Sequence, residues 1–327
     1  MDHRDKRFFI ALKLRTYKSI TPEAITRLET ATISGVGDLI TIFSPYDVGQ
    51  CVEREVNLTE ETGLLPIQRA LFKCWTGWIS SEAHLSRVSE RVMKAVKTIS
   101  AYCRVDCLAR FISSGSDVCG IMGSGMYGEL GSEWGMSDLL RALKSRKLIE
   151  AELLEKTLRE LRVREEMPDA EVREKIAIEL RRQYFRKVRE VMTPFKDRNL
   201  MAAISLIEIV ETVVKPDLRR AAKGGEGELP KSLWRLGERV ISAIREVSGD
   251  DISVVETMVN GVPAFVLHHR LGLLPVGPST MIHYFVMKCW ETFFVSHIVY
   301  SVLKGAPPEY VKEWIRRWGV LYERLYS

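Results

Sequence analysis

The chain has few amides: three asparagines (Asn57, Asn199, Asn260) and three glutamines (Gln50, Gln68, Gln183) in 327 residues. Beside abundant Glu and Arg, that depletion fits a protein that works at high temperature, where amides are chemically labile and ion-pair networks gain. The expected source is a thermophilic archaeal or bacterial cytoplasm. An apolar leader is also missing. The start, Met-Asp-His-Arg-Asp-Lys-Arg, has no hydrophobic run behind it, so no secretory signal is expected. Nor is there a long unbroken apolar run. The greasiest stretch, Ile282 to Leu303, is interrupted by Lys288, Glu291 and His297, so it reads as a core helix and excludes a membrane partner role. Charge of one sign does not dominate: 48 Lys and Arg face 43 Asp and Glu, a net charge of +5. Such a balance permits an anionic partner without demanding one.

The six cysteines are Cys51, Cys74, Cys103, Cys107, Cys119 and Cys289, and none form a CxxC pair. Cys103 and Cys107, four apart in an expected helix, with Cys119 following, invite a zinc or iron–sulfur reading. No close fourth ligand completes it. Buried thiols fit the spacing better, and no cofactor is expected. Their redox state stays open, because hyperthermophile interiors are disulfide-permissive whereas mesophile cytosols are not.

What is present is an ordinary soluble composition, 46% hydrophobic and 28% charged, in a chain long enough for two or three domains. Arg7 to Tyr17 alternates, with Phe8, Ile10, Leu12 and Leu14 on one side, and predicts a strand. Thr21-Pro22-Glu23 predicts a helix start, with Gly35 and Gly37 ending that helix. Leu39 to Phe43 and Cys51 to Leu58 predict two more strands. From Thr59 the pattern turns helical: Pro66 to Trp78, a long helix capped by Ser81 and reaching Phe111, and Ile149 to Met167 after a glycine-rich break. Asp169 to Met192 is a clear amphipathic helix, followed by a nearly all-apolar one from Asn199 to Val214. The charged pair around Pro168 predicts an antiparallel hairpin. After a flexible segment at Lys223–Glu228 come a helix, Ser232 to Val247, and two strands around Asn260-Gly261, a strong hairpin signal. Pro307-Pro308 starts the last helix.

Joining the ends gives a mainly α protein with a small α+β part. A ferredoxin-like β-α-β-β…α-β sheet, built from residues 1–58 and 230–270, is expected to be split by a helical insertion, 59–229. A C-terminal helical pair, 271–327, packs on that core.

Five groups of residues carry possible chemistry. The segment 181–189 holds Arg181, Arg182, Arg186, Lys187 and Arg189 without an acid, which suggests a phosphate-binding stripe with Tyr184 or Phe185 able to stack on a base. The alternative is a solvated face paired with Glu174, Glu179 and Glu190. Gly123, Gly125 and Gly128 match G-x-G-x-x-G, yet no strand precedes them as a dinucleotide loop needs. Asp250 and Asp251 are adjacent carboxylates of the kind that hold Mg²⁺ in polymerase palms, with Asp47 as the third acid if the split sheet forms. Trp314 and Trp318, four apart on the last helix, suggest a core or a subunit interface. Of the histidines, His283 and His297 lie on an apolar helix and read as hydrogen-bonded core residues.

The leading expectation is a non-catalytic subunit that binds DNA or RNA within a larger protein assembly, RNA-guided antiviral or viral. A Mg²⁺-dependent nucleotidyl transferase or nuclease and a pure protein scaffold are the alternatives.

Overall fold

Stretches that alternate in the sequence coil into helix. The structure, a computed structural model, describes residues 2–114, 135–163, 168–216, 252–272 and 274–326, together with 242, 244 and 246. Helix makes up 81% of the interpretable chain, and no strand occurs among the described residues. The ferredoxin-like sheet is therefore corrected to an all-helical architecture in its described part.

The first expected strand is helix α1, His3–Tyr17, whose buried residues are Asp5, Phe8, Phe9, Leu12, Lys13 and Thr16. Those positions recur at helical spacing, and Ile10 and Leu14, expected inward on a strand, are exposed. Helix α2, Pro22–Leu28, starts where the sequence places it, with the Thr21 hydroxyl accepting the Ala24 N–H. It stops at Leu28, well before the glycines. Gly35 opens α3, Val36–Phe43, instead of closing α2. The third expected strand is α4, Asp47–Glu55, which buries Val48, Cys51 and Val52 on one side. Helix α5, Leu64–Leu85, runs through Ser81. Ser89 caps the shorter α6, Glu90–Ile99, and α7, Tyr102–Ser114, follows.

Helices α8, Met136–Ser145, α9, Ile149–Glu160, α10, Ala170–Met192, and α11, Arg198–Ile209, complete the middle of the chain. The expected α9–α10 hairpin is antiparallel: Glu152 meets Lys187, whereas Glu160, eight residues on, meets Gln183. One turn of π-helix, Val210–Val214, prolongs α11. The C-terminal part holds α12, Ile252–Leu271, α13, Ser279–Leu303, and α14, Pro308–Tyr326.

Helix α13 is the axis of the molecule and packs against α1, α5, α11, α12 and α14. It is apolar on every face and buried on nearly every face, as a central helix must be. Its two charges are tolerated because they meet each other. Lys288 Nζ donates to Glu291 Oε2 at 2.5 Å, and the other Glu291 oxygen accepts the Ile20 N–H at 2.7 Å. Among the described residues no helix is long and apolar enough to cross a membrane.

The Asn260-Gly261 pair lies inside α12, not in a hairpin turn. Gly261 is there because Trp318 lies against its backbone: a Cβ would sit 2.1 Å from Trp318 Cζ3 and 3.1 Å from Trp290 Cδ1. Pro263 follows within the same helix and removes one ladder hydrogen bond, so neither residue marks a turn. Two disulfide facts complete the frame. Cys51 of α4 is bonded to Cys74 of α5, and Cys107 is disulfide-bonded as well, whereas Cys103 and Cys289 are free and buried.

In most helices Gly→Ala is stabilising, by up to about 1 kcal/mol. Here Gly261→Ala is expected to destabilise by about 1–3 kcal/mol through overpacking against Trp318. Thermal unfolding measures the sign, and a rise in melting temperature would contradict this packing.

Candidate functional site

Helix α10 carries the expected stripe. Asp169 caps it by accepting the Val172 N–H at 2.8 Å, and Ile176, Leu180, Tyr184, Val188 and Met192 face the core as their spacing predicts. Arg181 does not share the outer face. It is 3% exposed and sits in a sealed charge network where α7, α10 and the π turn meet. Its guanidinium lies 2.9 Å from Asp106 Oδ1 and 3.5 Å from Glu211 Oε2. Lys215 lies 2.8 Å from Glu211 and 3.6 Å from Asp106, and Arg110 lies 3.2 Å from Asp106. The Tyr102 hydroxyl donates to Glu211.

The protonation states follow from that geometry. Burial by itself would raise the Asp106 carboxyl, but Lys215, Arg110 and Arg181 overcome it and hold it far below the usual range. Burial would lower the Arg181 guanidinium, and Asp106 and Glu211 more than compensate, so its pKa rises. Burial first, then the Glu211 charge, push the Tyr102 phenol up and keep it a donor.

The four other cations of the stripe reach the surface, and each meets a carboxylate. Arg182 pairs with Glu179 at 3.4 Å; Arg186 pairs with Glu160 at 3.2 Å and Glu179 at 3.5 Å. Lys187 lies 3.2 Å from Glu152, and Arg189 pairs with Glu208. Of the acids expected to neutralise the stripe, Glu179 does so. Glu174 and Glu190, the other two expected, are not among these partners; Glu152, Glu160 and Glu208 come instead from α9 and α11.

Trp314 and Trp318 are both buried within the chain. Trp318 packs edge-on to Phe265, Trp290 and Phe294, and Trp314 lies on His297 at 3.9 Å between centroids. Their surface is spent internally. His283 is buried and His297 half-buried, and burial lowers them to about 3 and about 4, so both are neutral at ordinary pH. Gly123, Gly125 and Gly128 lie outside the described residues, as do Asp250, Asp251 and Cys119. Helix occupies the position of the strand expected after Asp251, so the palm arrangement loses its sheet. Asp47, its expected third acid, instead pairs with Arg15 at 2.9 Å. Among the described residues, no cluster of three or more His, Cys, Asp or Glu side chains could hold a metal ion.

A basic groove not expected from the sequence opens elsewhere on the surface. It has a volume of about 490 Å³ and runs between α6, the start of α7 and the α8–α9 turn. Lys94 and Lys97 of α6, Arg104 of α7 and Lys147 of the turn line it, with Glu90 as its one acid. Arg104 is held by the buried Glu150 at 2.7 Å. Lys94, Lys97 and Lys147 are exposed, and among the described residues no carboxylate pairs with them. The signal was available: Val92, Ala95, Val96 and Ile99 mark the buried face of α6, which turns Lys94 and Lys97 outward.

No family profile matches the chain, and no curated protein is similar to it in sequence.

The network assigns Arg181 a structural role distinct from its neighbours. Arg181→Met is expected to cost about 3–5 kcal/mol, because two buried carboxylates lose a partner. Arg182→Ala, at a half-exposed pair, should change stability by about 1 kcal/mol or less. Urea unfolding of both variants tests this, and equal losses would contradict the assignment.

Proposed function

We propose that the protein is a non-catalytic nucleic-acid-binding subunit of a larger assembly, and that phosphates seat in the α6–α7 groove and not on α10. The observation that carries this reading is the charge of the groove: Lys94, Lys97 and Lys147 are exposed and, among the described residues, unpaired, and one acid of its lining, Glu90, opposes them. Unpaired lysines retain condensed-counterion release as a driving force, which the neutralised stripe on α10 has largely given up.

The assembly part of the reading rests on α1. Ile10, Leu14 and Tyr17 are exposed and lie at i, i+4 and i+7, which makes one apolar stripe on the outer face of that helix. Depleted amides beside the Cys51–Cys74 disulfide suit the disulfide-permissive cytoplasm of a hyperthermophile.

The test is a titration with single-stranded and double-stranded oligonucleotides at two or more salt concentrations. The wild-type chain is expected to bind with a steep salt dependence. In Lys94→Glu/Lys97→Glu/Lys147→Glu the slope of log K against log salt should shrink by about 2–3, since each phosphate contact contributes about 0.7–0.9. Arg182→Glu/Arg186→Glu/Arg189→Glu should change it less. Absence of salt-sensitive binding by the wild type would overturn the function, and a reversed order of the two triple variants would overturn the location.

A further inference from the structure

A second cavity, of about 200 Å³, differs from the groove in chemical character: it is aromatic and balanced in charge. The Cys51–Cys74 disulfide forms part of its wall, and Trp75, Trp78 and Tyr284 supply the rings. Those rings are fixed. The Trp75 indole N–H donates to Thr292 Oγ1 at 3.0 Å, the Arg15 guanidinium covers Trp78 at 4.2 Å, and Tyr284 meets Trp75 edge-on. A preformed, ring-lined cavity with a few placed polar groups is the usual make-up of a small-molecule site.

Two buried carboxylates, Glu291 and Asp47, stand in its wall. Glu291 uses both oxygens, on Lys288 and on the Ile20 N–H. Arg15 satisfies Asp47 Oδ1. Asp47 Oδ2, on a side chain 7% exposed, has no hydrogen-bond partner among the described residues. A buried carboxylate oxygen without a donor is rare in folded proteins and calls for an explanation. Arg15 and Lys288 balance Asp47 and Glu291, so what the cavity lacks is a donor and not a bulk charge.

We propose that this cavity is a binding site for a small primary amine with an aromatic or apolar body. The ammonium donates to Asp47 Oδ2 while the body packs among Trp75, Trp78 and Tyr284. The size excludes a nucleotide and admits a single ring with a short aminoalkyl arm. This site is independent of the basic groove, and its occupancy does not require nucleic acid.

The test uses the full chain and phenethylamine as probe, with 3-phenylpropionate as a ligand of similar body but opposite charge. Calorimetry or quenching of tryptophan fluorescence should show saturable binding of the amine and at least about tenfold weaker binding of the acid. Asp47→Asn keeps the side-chain volume and an acceptor for Arg15, and should weaken the amine by about tenfold or more. Gln50 is an exposed residue at the cavity wall, so Gln50→Trp closes the space without disturbing Asp47. Loss of amine binding in that variant, with unchanged circular dichroism, supports the site even if Asp47→Asn fails to fold. The proposal is overturned by no saturable amine binding up to about 10 mM, by equal affinity for amine and acid, or by unaltered binding in Gln50→Trp.

Discussion

Asp106, Arg110, Arg181, Glu211 and Lys215 meet in the interior where α7, α10 and the π turn cross, and none of the five could be buried without the others. Taking a carboxylate or guanidinium out of water costs several kcal/mol, and here three cations and two anions offset that cost for one another. The network fixes how α10 lies on α7, and α10 in turn carries α9 and α11. The outward cations of α10 therefore land within reach of Glu152, Glu160 and Glu208. A helix that looks like a polyanion ligand becomes the charged strap of a bundle. In the groove between α6, α7 and the α8–α9 turn, Lys94, Lys97 and Lys147 stay unpaired among the described residues.

The sequence made the helices legible where its period was long and its caps explicit. Thr21, Asp169 and Pro308 begin helices as read, and the α9–α10 hairpin and the buried character of α13 were visible in charge spacing and apolarity. The strands were misread for one reason. Over short windows a period of two and a period of 3.6 share positions: Phe8 and Leu12 satisfy both. The deciding residues are Phe9, buried, and Ile10 and Leu14, exposed, and their fates follow from tertiary packing against α13 and not from local pattern. Asn260-Gly261 failed differently. Its glycine serves a tryptophan 57 positions away in sequence, a close approach that no window can contain.

The candidate site shows the same limit in charge. Counting acids within Arg181–Arg189 finds none, but Glu179 just upstream on α10 pairs with Arg182 and Arg186, and the other carboxylates that neutralise this run sit on α7, α9, α11 and the π turn. Conversely Lys94, Lys97 and Lys147 stand out only once α6 and the α8–α9 turn are side by side. Arg181 looks like an ordinary surface cation in the sequence and is one of the buried side chains. Local charge runs report on composition. Net surface charge is a property of the packed helices.

The account turns on where an anionic strand touches the protein. Formaldehyde cross-linking of the full chain to a single-stranded oligonucleotide at low salt, with the modified lysines located by mass spectrometry, reads this directly. Adducts concentrated on Lys94, Lys97 and Lys147, suppressed by added salt, are the predicted result. Adducts on Lys187 with the groove lysines unmodified would contradict it and return the site to α10.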